Sequence, residues 1–307
     1  MLDSAQTIVT QIFIMFLLML VGHLLYRRRI IDSQGSQQLS SLLLNIVTPA
    51  VLITSFQRPF DPGEAKMLAT AFFFALLSYV PAILLARLLY GRSPAPYAKD
   101  AQMCLIFSNN GFMALPLLEA LLGSTGVFLG SAGIVTGTVI AWTYGARMLS
   151  GESRVNFKKI LLNPGTLALI GGLLLFCSPW KLPMPVFRAV EYLGSLNTPL
   201  AMLVLGIYLS QSHVLACLKD KTVYLLSVLK LAVIPLLAMA LLYLLGASEL
   251  VATALLIGTA APSGVISAMM AQMFGTDHFF STRIIAVTTL FSAVTMPLFL
   301  LVLQLLW

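Results

Sequence analysis

Two stretches of this chain set amides, hydroxyls, glycine and proline inside runs of apolar residues. One is Phe107-Ser108-Asn109-Asn110-Gly111-Phe112-Met113-Ala114-Leu115-Pro116; the other, about half a chain later, is Ala260-Ala261-Pro262-Ser263-Gly264. Asn109 and Asn110 can both donate and accept hydrogen bonds. Gly111 lets the chain turn or approach closely, and Pro116 removes a donor and disrupts the helical ladder. Ser263 and Ser267 add hydroxyls from the second stretch. A helix broken in this way exposes unpaired N–H groups and the positive end of a half-helix dipole, which attract a carboxylate without the desolvation cost of a cationic side chain. The chemistry these residue types suit is reversible anion binding by weak neutral donors. Covalent chemistry finds no support: the chain has no His/Asp pairing, no metal-ligand spacing and no Gly-rich phosphate loop, so no catalytic residue, metal or cofactor is expected.

The surroundings of these stretches determine what they can be. With 59% hydrophobic and 9% charged residues and a mean hydropathy of +0.95, the chain is a polytopic membrane protein. A spanning helix needs roughly 20 mostly apolar residues. Ten candidate spans run near 7–26, 37–56, 67–90, 98–121, 127–148, 162–178, 188–210, 222–244, 250–273 and 281–305, which leaves little chain for a soluble domain. Both polar stretches then fall at bilayer depth, in spans four and nine. An unpaired backbone group in hydrocarbon costs several kcal/mol, so such breaks are tolerated only where they line a cavity enclosed by protein.

Charge suggests an orientation. If the loops after spans one, three, five, seven and nine face the cytoplasm, they hold Arg27, Arg28, Arg29, Arg87, Arg92, Lys99, Arg147, Arg154, Lys158, Lys159, Lys219, Lys221 and Arg283, against Arg58, Lys66, Lys181 and Arg188 opposite. The positive-inside rule then predicts a multi-pass protein of the cell (inner) membrane with both termini on the non-cytoplasmic side. The net charge of +7 meets anionic lipid, and no nucleic-acid partner is expected. Asp3 and the absence of a basic n-region argue that the first span is not a cleaved signal. Cys104, Cys177 and Cys217 read as small apolar side chains.

The chain also echoes itself. Asn45-Ile46-Val47-Thr48-Pro49 in span two is answered by Ser195-Leu196-Asn197-Thr198-Pro199 in span seven, and Pro81 by Pro235. This divides the chain into a first repeat of five spans (1–149), a cytoplasmic connector (150–161) and a second repeat of five spans (162–307). An odd number of spans inverts the second repeat relative to the first, and inverted repeats place substrate sites at their interface near the midplane.

Taken in order, Leu44-Asn45-Ile46-Val47-Thr48-Pro49-Ala50, the stretch from Phe107 to Leu117, Asn163-Pro164, Leu193 to Met202, and Ala260 to Gly264 with Phe274-Gly275 resemble the motifs of the auxin efflux carrier family in its compact bacterial form. The resemblance covers nearly the whole chain. It implies an all-α fold of ten helices in two inverted repeats, a scaffold with a mobile transport unit, and two broken helices, spans four and nine, crossing at a site for organic anions. One departure is that family members often carry an Asn shortly after the span-nine Pro, where this chain reads Ser263-Gly264-Val265-Ile266-Ser267. The implied substrate-binding residues are Asn109, Asn110, Gly111, Asn45, Asn197, Ser263 and Ser267, with Pro116, Pro262, Gly264, Pro49 and Pro199 as crossover or hinge positions.

Bland readings stand beside these. Asn45 and Asn197 are equally suited to interhelical hydrogen bonding, lone prolines to kinks, and the glycines at 126, 130, 133 and 137 to close helix packing rather than a pore. Glu119 and Glu191 sit near span ends and are expected to be solvated, and His23 is read as an interfacial anchor. Lys230 is the one cation well inside a span; it either supports function or coupling, or snorkels to the interface. The expected partners are a small organic anion (a mono- or dicarboxylate or an indole-type acid), membrane lipid, and a proton or sodium ion if transport is coupled. A homodimer stays open, as do a sodium- or proton-coupled symporter and, from another class, an intramembrane receptor or enzyme.

Overall fold

A computed structural model describes residues 2–151, 157–211 and 220–306. Arg154, Cys217 and Lys219 lie outside the described residues. Among those described the chain is helical throughout, and seven helices are long and apolar enough to cross a membrane, with three shorter apolar helices beside them. In chain order the helices, with the short α4 and α7 added to these, are α1 (Leu2–Arg27), α2 (Ser33–Ser55), α3 (Pro62–Tyr90), α4 (Ala98–Ile106), a long run Asn110–Ser150, α7 (Phe157–Leu161), α8 (Pro164–Cys177), α9 (Met184–Gln211), α10 (Lys221–Leu244), α11 (Glu249–Ala260), α12 (Val265–Phe274) and α13 (His278–Leu306).

The run Asn110–Ser150 is two antiparallel helices, α5 (110–122) and α6 (124–150), with no loop between them. Gly123 has φ 58° and ψ −150°, a conformation that side chains strongly disfavour. The chain reverses there, so that Gly126 and Gly130 stand directly against Leu118; a straight helix would hold them about 12 and 18 Å away. With α4 and α5 taken together, and α11 and α12 likewise, the apolar helices of the described residues group into ten units, two of them interrupted.

Two bodies are visible in the packing. The first is a panel of four helices in which α1 lies along α9, and α2 packs on α8 and on the first part of α9. The second comprises α3 to α6 and α10 to α13: α3 packs on α4, α6 and α10, α11 packs on α6 and α10, and α12 on α13. At the end away from the basic loops a cluster of rings joins the bodies. Phe128 of α6 lies 4.8 Å from Phe56 and 5.4 Å from Phe176 of the panel, and the Arg58 guanidinium stands 4.6 Å above the Phe128 ring. Arg58 also pairs with Glu64 at 3.0 Å and donates to Ser124 at 3.0 Å.

Prolines shape the spans through an inserted residue. Pro49, Pro116 and Pro235 each follow by two residues a five-residue turn of π-helix, at Leu43–Val47, Asn110–Ala114 and Leu229–Val233. A proline inside a helix lacks its N–H and clashes with the carbonyl one turn back, and a π turn supplies the extra residue that re-spaces that carbonyl. Pro81 and Pro297 sit inside continuous helices.

Candidate functional site

The site is built where the two broken spans cross. Helix α4 ends at Ile106 and α5 starts at Asn110; α11 ends at Ala260 and α12 starts at Val265. The two interruptions pair with each other as a short antiparallel bridge at Ser108 and Ser263. Asn109 N donates to Pro262 O at 2.8 Å, and Gly264 N donates to Phe107 O at 2.9 Å. Each break thus supplies a partner that the other helix lost. A β-carbon at Gly264 would lie 2.7 Å from Ser108 O, so only glycine permits this approach. At Gly111 the same atom would meet nothing within 4 Å, so no protein neighbour demands glycine there.

The serines of the second stretch act as clasps. Ser263 Oγ donates to Cys104 O at 2.8 Å and Ser267 Oγ to Met103 O at 3.1 Å, both fully buried, while Ser263 N donates to Thr288 Oγ1. Their hydroxyl protons, read from sequence as substrate donors, are engaged in holding α12 to the end of α4. At the basic end Asp100 continues that seam: buried at the start of α4, it accepts from Thr276 Oγ1 at 2.6 Å and Asp277 N at 3.1 Å.

Asn109 and Asn110 point to different tasks. Asn109 is 4% exposed, caps α5 by accepting from Phe112 N at 3.3 Å, and leaves its Nδ2 without a partner. Asn110 donates from Nδ2 to the Tyr79 hydroxyl at 3.4 Å, and its Oδ1 is buried and unpartnered. Buried amide groups left unpaired are costly, which marks both as places where a further hydrogen-bonding group fits. In the panel Asn197 repeats the pattern: fully buried, it accepts from Thr48 Oγ1 at 3.5 Å and has an unpartnered Nδ2. Its helix, α9, packs on residues 110–114. Asn45 is not brought to the crossing; it is exposed and bonds back to Ser41 of its own helix at 2.7 Å. Within-helix bonding of this kind is open to any Asn one turn from a carbonyl. Pro49 inside α2 and Pro199 inside α9 follow Thr48 and Asn197 by one and two residues, beside the contact between those side chains.

Lys230 does not snorkel. It is fully buried in the π turn of α10 and donates to Leu105 O at 3.2 Å and Ser108 Oγ at 2.7 Å. Ser108 in turn donates to Thr259 O at 3.3 Å, so one hydroxyl joins α10, the first break and α11. Behind the crossing lies a narrow cavity with a polar wall of Ser78, Tyr79, Ser108, Asn110, Lys230 and Thr259 and an apolar one that includes Leu118, Ile134 and Leu255. Gly130 and Gly133 line it too, so the glycines read purely as packing also open space. Tyr79 and Ser78 were missed as site residues; their signal is a polar pair just before Pro81 in an otherwise apolar span. Glu119 is exposed and Glu191 pairs with Arg188, both away from the crossing. Cys104 is buried and Cys177 is exposed. Among the described residues no group of three potential metal ligands gathers.

The chain matches a family model described as "membrane transport protein" twice, over residues 7–156 and 152–300. It is 24% identical over 310 aligned positions to an uncharacterized transporter of Methanothermobacter thermautotrophicus, covering 98% of this chain and 99% of the relative. A second uncharacterized transporter, from Methanocaldococcus jannaschii, is 21% identical over 300 positions, covering 94% and 96%.

Proposed function

The chain belongs to the membrane transport protein family, the auxin efflux carriers, and on that premise we propose that it is a secondary carrier of small organic anions. Cargo binds at the crossing of the two broken spans, on the side that meets α9, and reaches either face of the membrane as the six-span body shifts against the panel. The observation that carries this reading is the mutual pairing of two interrupted helices at Ser108 and Ser263, flanked by the unpartnered Nδ2 groups of Asn109 and Asn197. Neutral amide donors near a helix start suit a carboxylate that must leave again. The Lys230 ammonium, one hydroxyl away through Ser108, biases the crossing toward negative charge. The carbonyls of Phe107, Pro262, Leu105, Cys104 and Met103 each accept a bond from the protein, which favours an anion over a sodium ion at the breaks.

The test is uptake into proteoliposomes of radiolabelled mono- and dicarboxylates, in chloride-free medium, with and without sodium and across pH. Saturable uptake of at least one carboxylate, competed by unlabelled analogue, supports the proposal. No uptake of any acid above protein-free liposomes, from protein shown to be folded, refutes it.

A further inference from the structure

The cavity behind the crossing has a property that a cargo route lacks. Its walls come from α3, α4, α5, α6, α10, α11 and the first break, and none of its lining residues belongs to α1, α2, α8 or α9. A site that moves wholly inside one body is not alternately exposed at the seam between two. It is also small: about 30 Å³ of free space, room for about two waters. An organic acid of several carbons does not fit.

Its charge is unbalanced. Lys230 is fully buried, and the two ion pairs among the described residues, Arg58–Glu64 and Arg188–Glu191, do not involve it. No Asp or Glu lines the cavity. An ammonium held at membrane depth needs a counter-charge, and of its three N–H donors two are spent on Leu105 O and Ser108 Oγ. Two further donors share the same wall. The Tyr79 hydroxyl accepts from Asn110, so its own proton is free to donate, and one N–H of the Asn110 amide remains. Ser78 and Thr259 spend their hydroxyl protons on Ala75 O and Leu255 O, so the donors left on this wall are Lys230, the Tyr79 hydroxyl and one Asn110 N–H, beside the unpartnered acceptor Asn110 Oδ1.

We propose that this cavity is a binding site for a single small inorganic anion of the halide class, held by the ammonium of Lys230 with the Tyr79 hydroxyl and the Asn110 amide. The bound ion neutralises Lys230 and braces α3, α5 and α10 against one another. It lies apart from the cargo site proposed above, although Lys230 acts on both; carboxylate uptake in chloride-free medium reads transport with the halide absent, so failure of the one proposal is distinguishable from failure of the other.

The experiment is thermal unfolding of the purified full-length protein in sodium gluconate, with chloride or bromide substituted at constant ionic strength. The expected result is a saturable rise in melting temperature with either halide. Lys230→Met abolishes the rise, and Tyr79→Phe, which removes one donor and keeps the ring, shifts the half-saturating concentration upward about tenfold. Should Lys230→Met fail to fold, Tyr79→Phe carries the test alone. Equal melting in chloride and gluconate overturns the proposal, as does a rise unchanged in the variants. Formate matching the halides would also overturn it, because the cavity would then be a carboxylate pocket.

Discussion

Lys230 and Ser108, 122 residues apart in the chain, meet at 2.7 Å between ammonium and hydroxyl. The contact ties the middle of α10 to the first break, and Ser108 extends it to Thr259 of α11. A cation at this depth, with no carboxylate beside it, acts on whatever negative charge approaches the crossing. Replacing Lys230 with Met keeps most of the side-chain volume and removes the charge. Uptake by Lys230→Met is expected to fall by about tenfold or more, a change of about 1.4 kcal/mol in the barrier, or to change its dependence on pH. A variant with the parental rate and pH profile in proteoliposomes would reduce Lys230 to a structural role in transport.

Asn109 and Asn110 separate by mechanism. Asn109→Ala loses the cap on Phe112 N, about 1 kcal/mol of stability, together with the free Nδ2. Asn110→Ala loses the contact with Tyr79. Each variant is expected to fold, checked by size-exclusion and melting, and Asn109→Ala to lose carboxylate uptake outright. Unimpaired uptake by Asn109→Ala would remove that amide from the cargo site.

Glycine at the crossing offers a contrast within one molecule. An added methyl at Gly264 meets Ser108 O at 2.7 Å, whereas at Gly111 it meets open space. Gly264→Ala is expected to lower stability by roughly 1–3 kcal/mol, as overpacking does, and Gly111→Ala to melt within about 0.5 kcal/mol of the parent. Equal melting of the two variants would mean that the breaks do not pair as described.

Arg58 fastens the bodies at the end away from the basic loops, through Glu64, Ser124 and the face of Phe128. Arg58→Ala removes all three contacts and is expected to cost about 1 kcal/mol. A cysteine placed at Leu122 in that background should react faster with a water-soluble maleimide than in the parent. An unchanged labelling rate would show that closure at this end does not depend on Arg58.

The orientation assigned from charge is checked at Ser93, between α3 and α4 beside Arg92. In a background with Cys177 and Cys217 replaced by serine, Ser93→Cys should resist impermeant reagent in intact cells and react after permeabilisation. Labelling in intact cells would invert the topology.

Much of this architecture is legible in the chain because lipid leaves few solutions. Twenty-residue apolar runs, and polar breaks halfway along two of them, admit little besides ten spans with a crossing. Asn109 and Lys230 stood out because amides and ammonium groups are expensive at that depth. What lay beyond reach depends on direction rather than type. Asn45 and Asn197 occupy matching motifs, yet one faces outward and bonds to Ser41 while the other is buried against Thr48. Ser263 and Ser267 carry the right group, but only coordinates show their protons directed at Cys104 and Met103 carbonyls. The spans read at 98–121 and 127–148 place a reversal between them, but that it is made at Gly123 alone, without a loop, was hidden, since Ser124-Thr125-Gly126 beside it reads as an ordinary short loop.

The exchange of backbone bonds between Asn109 and Pro262 and between Gly264 and Phe107 bears on how the molecule is made. Until the ribosome has delivered the later stretch, the earlier one waits in the bilayer with its peptide groups unanswered. Maturation of the amino-terminal half is therefore completed by the carboxy-terminal half, and the two expressed as separate polypeptides have a chemical reason to find each other.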